Sequence, residues 1–165
     1  MTFDDLLADA RDIAALLIAR KQRLAVAESS TGGLISAALL AVPGASAFYL
    51  GGGVVYTPRA RHRLLDLKRE EVRGLKSASE PYAQVLAERA QSRFKATWGL
   101  SETGASGPTG NPYGDAAGHS CYAVAGPKAL VSQTLETGQP DRLQNMLMFS
   151  RAALALLKSE IELQG

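Results

Sequence analysis

Between a short apolar run and a stretch with helical spacing, the chain carries Ala-Glu-Ser-Ser-Thr-Gly-Gly at 27–33. Ser29 and Ser30 therefore precede Thr31, Gly32 and Gly33 where a helix would begin. The unpaired N–H groups and positive end of a helix start can hold a phosphate, a carboxylate or the oxyanion of acyl transfer. A serine beside them is well sited as a nucleophile. The same residues read equally as a cap, Ser30 or Thr31, followed by glycines that turn the chain. The segment has neither the Gly-Lys-Ser/Thr of a phosphate-binding loop nor the GxSxG of a nucleophile elbow. A second cluster, TGASGPTGNPYGD at 103–115, gathers small side chains and hydroxyls. Thr103, Gly104, Ser106 and Gly107 head it, and such a loop can wrap a nucleotide or sugar phosphate. For a general base the chain offers two histidines. His62 sits in a basic run and reads as a surface residue, while His119, four residues after Asp115, is open to a catalytic or a structural role. Cys121, inside an apolar run, reads as a buried small hydrophobe.

The elements that must position these groups follow from periodicity. Phe3, Leu6, Leu7, Ala10, Ile13, Ala14 and Leu17 recur at three-and-four spacing and predict a helix over 2–20 with Thr2 as its cap. A strand is predicted at 23–28, a helix at 34–42 ended by Pro43-Gly44, and a glycine-bearing strand at 48–56. Pro58 opens a short helix to about 65. Residues 59–76 carry seven cations, Arg59, Arg61, Arg63, Lys68, Arg69, Arg73 and Lys76, interrupted by acids and without interleaved aromatics. That run reads as a solvated face rather than a nucleic-acid stripe. Ser79 caps a helix to about 94, a strand follows at 98–102, and 119–125 with 129–136 make a hairpin. From Asp141 a final helix runs to the end. Helices alternating with apolar strands predict an α/β fold with its active face beyond the carboxyl ends of the parallel strands, and one of the last two strands antiparallel.

The composition bounds the rest. With 165 residues, 46% hydrophobic and 21% charged, the chain has the make-up of one globular domain. A net charge of +2 does not argue for nucleic acid. One cysteine cannot close an internal disulfide, and with two histidines it falls short of an ordinary structural zinc site. The first residues are acidic, and no apolar run approaches the roughly 18 to 20 residues that cross a bilayer. We expect a cytoplasmic protein without metal, cofactor or membrane partner. The 16 glycines concentrate at 32–33, 51–53 and 104–118, places where backbone must turn or approach another group closely.

Those clusters, in that order, resemble the CinA C-terminal domain family. The segment AESSTGGLISAALLAVPGASAFYLGGGVVYTPRARHRLL is similar to the start of that domain, and SASEPYA, TGASGPTG, Gly118 before a strand and Asp141-Arg142 continue the match from about 5 to 160. The resemblance implies one domain over 1–165, a three-layer α/β/α sandwich with a mixed, mostly parallel sheet, and self-association. It also implies hydrolysis of nicotinamide mononucleotide to nicotinic acid mononucleotide and ammonia. In the family a serine attacks the carboxamide and a lysine is its base. The serine maps onto Ser29, Ser30 replaces the usual cysteine, Tyr56 matches a family tyrosine, and Arg61 stands where the lysine belongs. A guanidinium keeps its proton and cannot be the base. Arg61 would then bind substrate phosphate or an oxyanion, beside Arg142 and the 29–33 and 103–107 segments. The serine proton would pass to His119, with Tyr56 as second choice. The alternative is a protein that keeps the pocket for a pyridine nucleotide and no longer hydrolyses it.

Overall fold

The computed structural model describes residues 1–164. Its elements are α1 (Asp4–Arg20), β1 (Leu24–Glu28), α2 (Leu34–Leu40), β2 (Tyr49–Val54), α3 (Pro58–Leu65), α4 (Glu80–Phe94), β3 (Trp98–Ala105), β4 (His119–Ala125), β5 (Leu130–Glu136) and α5 (Arg142–Gln164). The five strands form one sheet in the order β2-β1-β3-β4-β5. β1 is parallel to β2 and to β3, β4 is antiparallel to both neighbours, and so four strands share one direction.

Strand alternation sorts the sheet into two unlike faces. Leu24, Val26, Trp98, Leu100, Tyr122 and Val124 face one way and form the larger core with Leu6, Ile13 and Leu17 of α1, Ile35 and Leu39 of α2, and Leu154 and Leu157 of α5. Ala25 and Ala27 face the other way, against Tyr82, Leu86 and Ala90 of α4 and Leu65 of α3. Cys121, Ala123 and Ala125 pack there against Ala83 and Ala87. The α4 face is thus built from small residues, and the helix comes in close: Ser101 Oγ donates to the Ala83 carbonyl, and a methyl on Gly99 would collide with that of Ala87. The three layers follow directly.

Two local expectations need correction. Thr103 and Gly104 belong to β3, not to a loop, because the strand runs on to pair Thr103 with Cys121 and Ala105 with His119. Among the cations of 59–76, Arg61 is buried at 5% exposure instead of lying on a solvated face. Its place four residues before buried Leu65 on α3 turns it inward.

Candidate functional site

Glu28 ends β1, Glu102 lies within β3, and both are fully buried. They occupy the helix-start groups that the sequence offered to a ligand. Glu28 Oε2 accepts from Thr31 Oγ1 at 2.8 Å, Gly33 N at 3.0 Å and Ile35 N at 3.1 Å, while its Oε1 accepts from Ser36 N at 3.0 Å and Ser36 Oγ at 2.6 Å. Glu102 Oε2 accepts from Ser29 N at 3.2 Å, Thr31 N at 2.9 Å and Thr31 Oγ1 at 3.1 Å; its Oε1 accepts from Ser30 Oγ and, at 3.1 Å, from Ser120 Oγ. Gly32 N donates to the Ser29 carbonyl at 3.1 Å. The amides of Thr31, Gly32 and Gly33 are therefore spent inside the protein, which corrects their expected role as oxyanion or phosphate donors. The carboxylates complement the positive end of α2 as an external anion would.

Burial pushes the Glu102 carboxyl above the usual carboxylate range, against the bonds from Ser30, Thr31 and Ser29. Its neighbourhood is consistent with that direction. The single hydroxyl hydrogen of Thr31 lies between two carboxylates and serves one at a time.

Ser29 follows β1 and is 4% exposed, yet among the described residues its Oγ makes no hydrogen bond. Arg61 is engaged elsewhere. Its Nε donates to the Val55 carbonyl at 3.0 Å, and Nη1 donates to Ser77 Oγ at 2.7 Å and Tyr82 Oη at 2.9 Å. The guanidinium also lies 4.9 Å from the centre of the Tyr82 ring. Ser77 ties this group to β3, since Thr103 Oγ1 donates to the Ser77 carbonyl at 3.0 Å.

Among the described residues His119 makes no hydrogen bond to Ser29. It shares the α4 face of the sheet with Cys121, its Nδ1 bonds the Glu136 carboxylate, and its Nε2 lies 2.9 Å from the Ala78 carbonyl and 3.7 Å from Asp115 Oδ1. Both ring nitrogens thus face acceptor oxygens, an arrangement that favours the doubly protonated ring. Burial opposes the charge, but the Glu136 and Ala78 bonds and the nearby Asp115 outweigh it and hold the imidazole above its ordinary range. The hydrogen bonds thus tie His119 to Glu136 and Ala78, and among the described residues none connects the Asp115–His119 pair to Ser29. Asp115 is held by Lys76 and by Asn111 Nδ2 at 2.8 Å. Cys121 is a buried thiol 3.6 Å from His119 Nε2, and burial raises its pKa.

A second group of contacts lies between the start of α5 and the loops that follow β2 and β3. Tyr56 is exposed, and its hydroxyl accepts from Arg142 Nη2 at 3.5 Å; Arg142 Nη1 in turn donates to the Gly107 carbonyl. Asn145 of α5 donates to the Ser106 carbonyl at 2.9 Å. A methyl on Gly32 would lie 2.8 Å from Met146 Cε, so the 29–33 turn packs against the start of α5. Ser106 is 2% exposed and its hydroxyl has no partner among the described residues. These contacts join Tyr56, Ser106, Gly107 and Arg142; the 29–33 turn adjoins them through Gly32 and Met146, and among the described residues His119 makes no hydrogen bond to any of them. A cavity of about 1120 Å³ adjoins Arg61 but is not lined by Ser29, Tyr56 or His119. Glu28, Glu102 and Asn145 were not singled out from the sequence, although an acid ending an otherwise apolar strand, as in LAVAE, was a visible signal for the first.

Among the described residues no three His, Cys, Asp or Glu side chains converge as metal ligands would, and no helix is long and apolar enough to cross a membrane.

Comparison with known proteins now places the chain. The model of the CinA C-terminal domain matches residues 8–161. A CinA-like protein of Desulforapulum autotrophicum is 31% identical over 155 residues, covering 94% of this chain and 37% of that protein. One from Gloeobacter violaceus is 37% identical over 159 residues, covering 96% and 37%. The chain thus spans little more than a third of these relatives. Among solved structures, a competence-damaged protein (CinA) superfamily protein from Klebsiella pneumoniae superposes with a TM-score of 0.87 at 27% identity, covering 98% of this chain and 99% of that one. The competence/damage inducible protein CihA from Agrobacterium tumefaciens gives 0.87 at 28%, covering 94% of each. On the family match, the relatives and the shared fold together, the chain belongs to the CinA C-terminal domain family.

Proposed function

We propose that this chain is a pyridine-nucleotide-binding member of the CinA family in which amide hydrolysis through Ser29 has been lost. The observation that carries the reading is the lack of a proton acceptor at the serine. Arg61 occupies the position where the family resemblance calls for lysine, and its donors are engaged with Val55, Ser77 and Tyr82. A guanidinium takes no proton from a hydroxyl. His119, the substitute base, has both nitrogens against acceptors of its own and makes no hydrogen bond to Ser29 among the described residues, and Tyr56 is exposed. Retained binding is supported by the orphaned Ser106 hydroxyl and by Arg142 at the rim, because a buried hydroxyl without a partner is satisfied by a ligand's polar atoms.

The test is incubation with nicotinamide mononucleotide, following ammonia release and heat of binding together. Binding without ammonia is expected, with Arg142→Ala weakening it about tenfold through loss of a charged contact. Ammonia from the unmodified protein that disappears in Ser29→Ala would overturn the reading and return the chain to the hydrolases.

A further inference from the structure

The cavity beside α3 has the size of a ligand pocket and a one-sided charge. Its volume is about 1120 Å³, and Arg59, Arg61, Arg63, Lys68 and Arg69 line it against one carboxylate, Glu70. None of those five cations is within salt-bridge distance of a carboxylate among the described residues, although ion pairs form elsewhere on the chain, as between Arg89 and Glu71. Arg61 is the unusual member. It is 5% exposed, it lines the cavity, and its Nη2 has no acceptor among the described residues. A buried cation is costly unless an anion compensates it, and the Tyr82 ring and two neutral hydroxyls supply only part of that compensation. The rest of the wall is apolar or aromatic, with Leu67, Val72 and Tyr113. Tyr113 comes from the 103–115 segment, which Asp115 anchors through Lys76 and Asn111. Cations with an unfilled guanidinium at the base, facing an apolar and aromatic wall, are what a phosphorylated molecule with an organic body requires.

We propose that this cavity, whose wall includes neither Ser29 nor Tyr56, binds a small molecule carrying two or more phosphate groups, with Arg61 as the buried anchor. The inference does not rest on the binding reading for Ser29. The probe is ADP, titrated calorimetrically into the full chain at moderate salt, with tripolyphosphate as the probe without an organic body. One ADP per chain is expected, with affinity falling as salt rises. Arg63→Ala/Arg69→Ala is expected to weaken ADP and tripolyphosphate about tenfold or more, because each truncation removes a charged contact. Both arginines are exposed, so an unchanged melting temperature confirms the fold of the double variant. Tyr113→Ala is expected to weaken ADP while leaving tripolyphosphate alone, and nicotinamide mononucleotide binding is expected to stay unchanged in the double variant. Absence of binding by either probe at millimolar concentration would overturn the proposal, as would ADP binding indifferent to the double variant. Duplex DNA that displaces ADP and binds more tightly through the same arginines would replace it with a nucleic-acid surface. Competition between nicotinamide mononucleotide and ADP, both weakened by the double variant, would abolish the separation of the two sites while leaving the Ser29 question to the ammonia assay.

Discussion

At the residue scale, the chemistry turns on which polar groups are already committed. Glu28 is the most heavily used: two hydroxyls and three amides converge on it at the start of α2. Glu28→Ala strands those donors in the interior, and we expect a loss of about 3 kcal/mol or more in denaturant unfolding. Glu28→Gln keeps one acceptor oxygen and is expected to cost less than half as much; equal losses would mean that the carboxylate's bonds are not what holds the turn. His119 makes a pH prediction. Its folded pKa is raised, so the native state holds a proton that the unfolded chain releases above about 6.5. The stabilisation it brings is complete below that value and is lost as pH rises through the folded pKa. The groups that face it are Glu136, Asp115, Cys121 and the Ala78 carbonyl, and the last does not titrate. Buried Glu102, also raised, adds a decline of the same sign that begins at lower pH, near the ordinary glutamate value. Thermal melts should therefore show stability falling with pH above 6.5 in the unmodified chain and a flatter profile there in His119→Gln. An identical slope in both would remove the histidine from the account.

At the element scale, periodicity carried most of the architecture. The helix opened by Pro58 ends at Leu65 as its apolar spacing indicates, and the hairpin strands begin and end within a residue of the pattern. What escaped was contact across sequence distance. Ser29 meets Glu102 through 73 residues of separation, and His119 meets Ala78 through 41, and nothing in a local window reports either. Nor does a run of seven cations say which one turns inward, although Arg61 and Leu65 at i and i+4 carried that information. The glycines were legible as sites of close approach, but the approaching groups belong to the protein. A methyl on Gly52 would lie 2.9 Å from the Val26 carbonyl and 3.0 Å from Ser36 Oγ. The same logic separates two substitutions. Gly99→Ala would drive α4 off the sheet through the Ala87 backbone and is expected to cost about 3 kcal/mol. Gly44→Ala meets nothing within 4 Å and costs only its left-handed backbone, φ +85°, about 1 kcal/mol. Similar losses at the two positions would show that crowding between α4 and β3 is not what selects glycine at 99.

At the scale of the whole molecule, α5 connects the candidate site to the far end of the sheet. Its 23 residues span about 34 Å. At its start, Arg142 and Asn145 hold the Ser106–Gly107 backbone, and the Met1 amino group donates to Gln144 Oε1 at 2.9 Å. At its end, Gln164 Oε1 accepts from the amides of Lys128 at 3.0 Å and Ala129 at 3.1 Å, closing the turn between β4 and β5, while its Nε2 donates to Glu160. Gly126 makes room for that side chain, since a methyl there would strike both Gln164 and Trp98. The helix thus has a polar clamp at each end and an apolar middle of Phe149, Ala153, Leu154, Leu157 and Ile161 between them. The two clamps share no hydrogen bond, so they should loosen independently. Gln164→Ala leaves two hairpin amides without an acceptor and is expected to cost about 2 kcal/mol. Hydrogen exchange gives the sharper reading. Lys128 and Ala129 should exchange much faster in the variant while the amides of 103–107 keep their protection, because opening of the turn is a local event at one end of α5. Faster exchange at both ends together would show instead that the helix transmits strain along its length, and the site could then be tuned from the hairpin.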